Sequence, residues 1–148
     1  LTPVAEDRHL TLVLEEEPVP PILGDAERLQ QVFINLLDNA LKFTPAGGRV
    51  NGRLQTEFDP ANSAEPGVRC LISDTGPGIL PALHERVFDR FTRTNRDGAP
   101  VRGTGLGLTF CKLAVEAQNG RIWVEDAPGG GSLFIFTLPG IPHFALNN

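Results

Sequence analysis

"NLLDNALKF", residues 35–43, carries two asparagines and a lysine through a stretch whose apolar spacing is helical. Asparagine is a poor helix former because its side chain competes with the backbone for hydrogen bonds. A helix that keeps Asn35 and Asn39 therefore needs a strong apolar face and a use for the amides. Extending back to Asp25, a side chain suited to an N-cap, Leu29, Val32, Phe33, Leu36, Leu37, Ala40 and Phe43 recur at helical intervals. They predict one amphipathic helix from Asp25 to about Phe43, with Phe43 on the core stripe. At about 100° per residue, Asn35, Asn39 and Lys42 fall within roughly 60° of one another, beside that stripe. Neutral amide oxygens suit a hard cation and an ammonium suits an anion, so this surface meets both needs of a magnesium nucleotide. A solvated helix face is the alternative for any such triple.

Working outward, apolar runs alternate between period two and period 3.6, the pattern of a layered sheet-and-helix domain. "HLTLVLEE" (9–16), "RVNGRLQTEF" (49–58) and "VRCLISD" (68–74) read as strands, and "DPANSAEPG" (59–67) as an exposed hairpin loop. "PALHERVF" (81–88) reads as a short helix. "RFTRTNRDGAPVRGTG" (90–105) has no periodicity and many breakers, the mark of a long mobile loop. "LGLTFCKLAVEAQNG" reads as a helix ended by Gly120, and "RIWVEDAPGGGSLFIFTLP" as a two-stranded hairpin about a glycine-rich turn. The expected core runs from about 9 to 139, the lid-like loop covers about 89–104, and 140–148 is a tail.

Composition narrows the function classes. The 148 residues, 41% hydrophobic and 21% charged, suit one globular domain. A net charge of −5 provides no basic field for nucleic acid. No apolar run approaches the roughly 18 residues of a membrane span, so direct membrane contact is not expected. Cys70 and Cys111 lack metal-ligand spacing and form no disulfide framework, which suits a reducing cytoplasm. With no methionine even at position 1, the chain reads as a fragment of a longer protein.

Two glycine clusters favour a nucleotide. In "SDTGPGI" (73–79), Gly76 and Gly78 would let backbone approach a flat ligand, and Asp74 offers a carboxylate at a strand end. An ionised carboxylate only accepts hydrogen bonds, so it prefers the six-amine of adenine to the oxygen of guanine. "GTGLGL" (103–108) opens a helix and can turn N–H groups toward phosphates. Its G-x-G-x-G spacing is neither the dinucleotide fingerprint nor a P-loop. Between the clusters, Arg90, Arg93, Arg96 and Arg102 outnumber Asp89 and Asp97, a local cationic excess that suits a lid over polyphosphate.

Taken in order, "NLLDNALKF", "DTGPGI", "VFDRFTR", "GTGLGL" and "GGGSLFIFTLP" resemble the N box, first glycine box, F box, second glycine box and final hairpin of the catalytic, ATP-binding domain of sensor histidine kinases. The resemblance covers nearly the whole chain. It implies an α/β two-layer sandwich, the Bergerat fold, with a mixed sheet packed on one face by about three helices and a mobile ATP lid. It also implies ATP and Mg²⁺ as ligands. Asn39 matches the Mg²⁺-binding asparagine, Asn35 its companion, and Lys42 a phosphate contact. Phe43 matches an aromatic position beside adenine, Asp74 the adenine-reading carboxylate, and Gly76, Gly78 and Ile79 the pocket floor. Phe88 and Phe91 resemble the F-box aromatics, matched more to lid packing than to ligand contact. Arg90 or Arg93, with Arg93 preferred, matches the basic residue that reaches the terminal phosphate. Gly103, Thr104, Gly105, Leu106, Gly107 and Leu108 match the phosphate-side lid hinge.

Phosphoryl transfer requires a neutralised, aligned γ-phosphate and a placed nucleophile. In the family that nucleophile is a His on a separate dimerisation domain, followed by an acidic residue with a proline nearby. His9, His84 and His143 lack that context. The expected partners are therefore a phosphoacceptor-His domain of the same protein and a response-regulator receiver domain. The expected location is the cytoplasm, alone or as the cytoplasmic part of a membrane-anchored sensor. Three rival readings exist. Same-fold ATPases place a Glu one turn before the Mg²⁺ asparagine as general base, where this chain has Asn35. Anti-sigma-type serine kinases and a degenerate nucleotide-binding module are the others.

Overall fold

The structure, a computed structural model, describes residues 5–6, 9–20, 22, 24–58, 66–89 and 107–140. The elements in chain order are β1 (Thr11–Glu16), α1 (Ala26–Phe43), β2 (Arg49–Glu57), β3 (Gly67–Asp74), 3₁₀ turns at Pro81–Leu83 and Arg86–Phe88, α2 (Gly107–Ala117), β4 (Arg121–Asp126) and β5 (Ser132–Leu138). One five-stranded sheet runs β1-β2-β3-β5-β4. β1 pairs parallel with β2, and the other pairings are antiparallel, so the sheet is mixed. The expected hairpin loop (but for Pro66 and Gly67), nearly all of the lid and all but Gly140 of the tail lie outside the described residues.

Helix α1 forms where its apolar spacing requires it. Asp25 Oδ1 accepts the Arg28 backbone N–H at 3.1 Å and caps the first turn. At the other end Thr44 is buried, and its hydroxyl donates to the Ala40 carbonyl at 2.7 Å. Val32, Leu36, Leu37 and Ala40 are buried in the core, with Leu29 and Phe33 packed at its margin. Phe43 departs from the expected stripe. It is only half-buried and outside the apolar cluster, and Leu41 is buried instead. The sheet is a broad surface, so the buried face follows the i, i+4 row Phe33, Leu37, Leu41 and leaves Phe43 toward the end of β3.

Strand alternation sets the second layer. Along β3, Val68, Cys70, Ile72 and Asp74 are buried and the intervening residues are half-buried. On β5 the facing residues are Leu138, Phe136 and Phe134, in register with Val68, Cys70 and Ile72. Asp74 thus continues an apolar inward row and brings a carboxylate to its end. Both cysteines are free, buried thiols, pushed up to about 12 by burial, and so stay neutral at ordinary pH.

Two local expectations change. "PALHERVF" forms two 3₁₀ turns, closed by i to i+3 bonds such as His84 N–H to the Pro81 carbonyl at 3.2 Å. Eight residues starting at a proline are too short to sustain an α-helix unaided, so this stretch adds only two tight turns beside α1 and α2. Helix α2 ends through Asn119, which takes the left-handed conformation at φ 64°. Gly120 serves close approach instead, since a Cβ there would stand 2.2 Å from the Thr137 carbonyl oxygen.

Candidate functional site

The end of β3, the C-terminal turn of α1 and the β4–β5 turn meet around Asp74. This carboxylate is only 6% exposed. Its Oδ1 accepts the Gly76 N–H at 2.9 Å and the Ser132 N–H at 3.2 Å. Among the described residues, Oδ2 has no hydrogen-bond partner. Burial raises the Asp74 pKa, and the two backbone bonds oppose the rise by favouring the ionised form. The result is a fixed acceptor with one oxygen available to a ligand.

Two glycines make room for that arrangement, and a third supplies a left-handed turn. A Cβ on Gly131, at φ 91°, would lie 1.9 Å from the Asp74 carbonyl oxygen. One on Gly76 would lie 2.8 Å from the Phe43 carbonyl oxygen, so the base of α1 rests directly on this loop. Gly78, at φ 79°, sits against the Gly131 carbonyl, where a Cβ would come within 3.4 Å. Thr75 anchors the loop to β2: its N–H donates to the Arg49 carbonyl, and its Oγ1 accepts the Arg49 N–H at 2.8 Å. Ile79 packs against the apolar core. Asp74, Gly76, Gly78, Ile79 and the backbone of Phe43 are therefore brought together.

The polar flank of α1 is built differently. Asn35 and Asn39 are half-buried and Lys42 is exposed. Asn35 spends its amide within the protein: Oδ1 accepts Gln31 Nε2 at 2.6 Å, and Nδ2 donates to the Gly107 carbonyl at 3.3 Å. That second bond ties α1 to the first residue of α2. Among the described residues the Asn39 amide makes no hydrogen bond. Lys42 Nζ stands 3.0 Å from Asp38 Oδ2. Leu108 packs at the core margin. Phe88 is buried edge-on against Phe134, with ring centroids 6.1 Å apart, and its carbonyl accepts the Thr109 hydroxyl at 2.9 Å. This aromatic packs the floor beneath α2. Arg90, Phe91, Arg93, Gly103, Thr104, Gly105 and Leu106 lie outside the described residues.

Two participants escaped the sequence reading: Gly131, whose missing side chain admits Asp74, and Ser132, whose N–H holds it. The run Gly129, Gly130, Gly131 was the available signal. All three have positive φ, more than a plain hairpin turn needs.

Known proteins resemble this chain in sequence and fold. The family model described as "Histidine kinase-, DNA gyrase B-, and HSP90-like ATPase" matches residues 24–141. The adaptive-response sensory kinase SasA of Thermosynechococcus vestitus is 40% identical over 82% of this chain and 30% of its own length. The sensor histidine kinase TmoS of Ectopseudomonas mendocina is 40% identical over 92% of this chain and 14% of its own. The chain thus spans a third or less of the curated relatives it matches. Among solved structures, the mycobacterial sensor histidine kinase MprB superposes with TM-score 0.76 at 34% identity, covering 95% of this chain and 91% of that one. Full-length ShkA in complex with AMPPNP superposes with TM-score 0.74 at 31% identity, covering 92% of this chain and 27% of that one.

Proposed function

This chain belongs to the histidine kinase-, DNA gyrase B- and HSP90-like ATPase family, and from that premise we propose that it is the ATP-binding catalytic domain of a two-component sensor histidine kinase. The observation that carries the ATP reading is Asp74: a buried carboxylate, held through one oxygen by two backbone N–H groups, with the other oxygen left to accept from the adenine amine. Gly76, Gly78 and Ile79 form the floor under the base, and Phe43 flanks it.

At the other end of the nucleotide, Asn39 offers an amide oxygen to Mg²⁺ and Lys42 contacts a phosphate. A Mg²⁺ held there would neutralise phosphate charge, and the neutral oxygen of one uncommitted amide suits such a hard cation. Arg93, with Arg90 as the alternative, meets the terminal phosphate. Gly103, Thr104, Gly105, Leu106, Gly107 and Leu108 form the hinge of the lid on the phosphate side.

Transfer is favoured over hydrolysis by Asn35. An amide cannot take a proton from water, and both ends of this one are already hydrogen-bonded, to Gln31 and Gly107. The γ-phosphate would pass to a His on a separate dimerisation domain of the parent protein and then to an Asp of a response-regulator receiver domain. The domain would work in the cytoplasm. By itself it would bind Mg·ATP without labelling itself.

The deciding experiment supplies this domain and labelled ATP to the upstream segment of its own parent protein. Acid-labile, base-stable phosphate on a His is expected. Label on Ser or Thr would favour a serine kinase, and rapid phosphate release without label a self-contained ATPase.

A further inference from the structure

Two turns border the base-binding side of the site: 75–80 after β3, and 127–131 between β4 and β5. They are joined at both ends. At one end Asp74 accepts from Gly76 in the first turn and from Ser132 just beyond the second. At the other, His84 Nε2 stands 2.9 Å from the Ile79 carbonyl oxygen and 3.6 Å from Asp126 Oδ1. A carbonyl only accepts, so Nε2 carries the proton at that contact. Between these joins runs the strip Gly76, Pro77, Gly78, Ile79, in which Gly78 takes the left-handed conformation at φ 79°.

We propose that His84 is a positioning residue for nucleotide binding: by donating to the Ile79 carbonyl, it fixes the glycine strip against which the base lies. The half-buried ring touches no ligand and acts through Ile79. The sequence gives His84 no phosphoacceptor context, and this contact provides a different use for it. Asn39 and Lys42 project from α1 and not from the two turns, so the proposal places the effect of His84 at the base end. The inference rests on the ATP reading above.

Calorimetric titration of adenosine, ADP and ATP with Mg²⁺ into the wild-type chain and the His84 variants tests it, with thermal melts run alongside. His84→Leu is expected to weaken all three ligands by the same factor, roughly threefold to tenfold, the yield of one lost hydrogen bond. The ATP-to-ADP affinity ratio should not move. His84→Gln, whose terminal N–H can take the place of Nε2, should recover most of the affinity. His84→Asn, one methylene shorter, should not. That contrast between two polar variants decides the matter even if the Leu variant fails to fold.

Equal adenosine affinity for wild type, Gln and Asn would overturn the proposal and leave the ATP reading standing. A loss confined to ATP would also overturn it, because the effect would then lie at the phosphates. If the wild-type chain binds neither adenosine nor ATP, the ATP reading fails and this inference with it.

Discussion

The two ends of the site are built on opposite principles. Around Asp74 the backbone is closely tied: Gly76 and Ser132 bind one oxygen, Thr75 is tied to Arg49, and Gly76 and Gly131 allow contacts that a Cβ would block. Along α1, half-buried Asn39 and exposed Lys42 project from the helix flank, and Lys42 Nζ stands 3.0 Å from Asp38 Oδ2 one turn away. We infer that the first end is pre-formed and that the second would take its shape from its ligand. A flat base of fixed outline rewards pre-organisation, because rigid complementarity avoids an ordering cost on binding. A polyphosphate with its metal is flexible and strongly charged, and adaptable side chains can follow it.

The sharpest way to break this contrast is Asn39→Ala. Nucleotide affinity in magnesium should fall on the order of a hundredfold, with metal-free affinity and melting temperature little changed. Unchanged affinity in magnesium would remove Asn39 from the metal. Next comes Asp74→Asn, which keeps an oxygen for Gly76 and Ser132 but adds a donor. Discrimination of ATP over GTP should fall roughly tenfold to a hundredfold, read from the two affinities.

The same substitution has a stability signature. The folded-state pKa of Asp74 is raised by burial, so its contribution to stability is fully present below the ordinary carboxylate range and is lost as pH rises through its own, higher value. The ligand-free Asn variant should therefore melt no lower than wild type at neutral pH, with a flatter melting profile across mildly acidic pH. A variant that melts well below wild type would show that the ionised carboxylate was stabilising.

Gly131→Ala tests pre-organisation itself. The added Cβ meets the Asp74 carbonyl at φ 91°, and the expected cost is about 1–3 kcal/mol of stability, together with weaker adenosine binding. An unaltered ATP-to-ADP ratio would keep the damage at the base end. The smallest effect should come from Asp25→Ala, which removes the cap of α1 far from either end. It should cost about 1 kcal/mol in denaturant unfolding and leave nucleotide affinity intact.

What the sequence disclosed follows from the range over which each interaction acts. Helix α1 and its cap were legible because apolar spacing and an N-cap are local. Asp74 was legible because alternation along one strand carries it inward. The Asp74 bond to Ser132 spans 58 positions, and nothing near either residue announces it. Phe43 and Leu41 were exchanged because a helical wheel gives the direction of a stripe but not the width of the surface it meets. The two 3₁₀ turns were read as a helix because, over eight residues, i+3 and i+4 spacings look alike. The glycine-rich box yielded only Gly107 and Leu108 to description, so its remaining assignments rest on motif order.

The Asn35 bond to Gly107 offers a native spectroscopic reporter. A side-chain NH₂ held by one carbonyl at 3.3 Å gives a pair of ¹⁵N-correlated proton signals, distinct from those of a solvated asparagine. Because the acceptor is the first residue of α2, any change at the head of that helix on nucleotide addition should register in these two resonances, with no label attached to the loop before it.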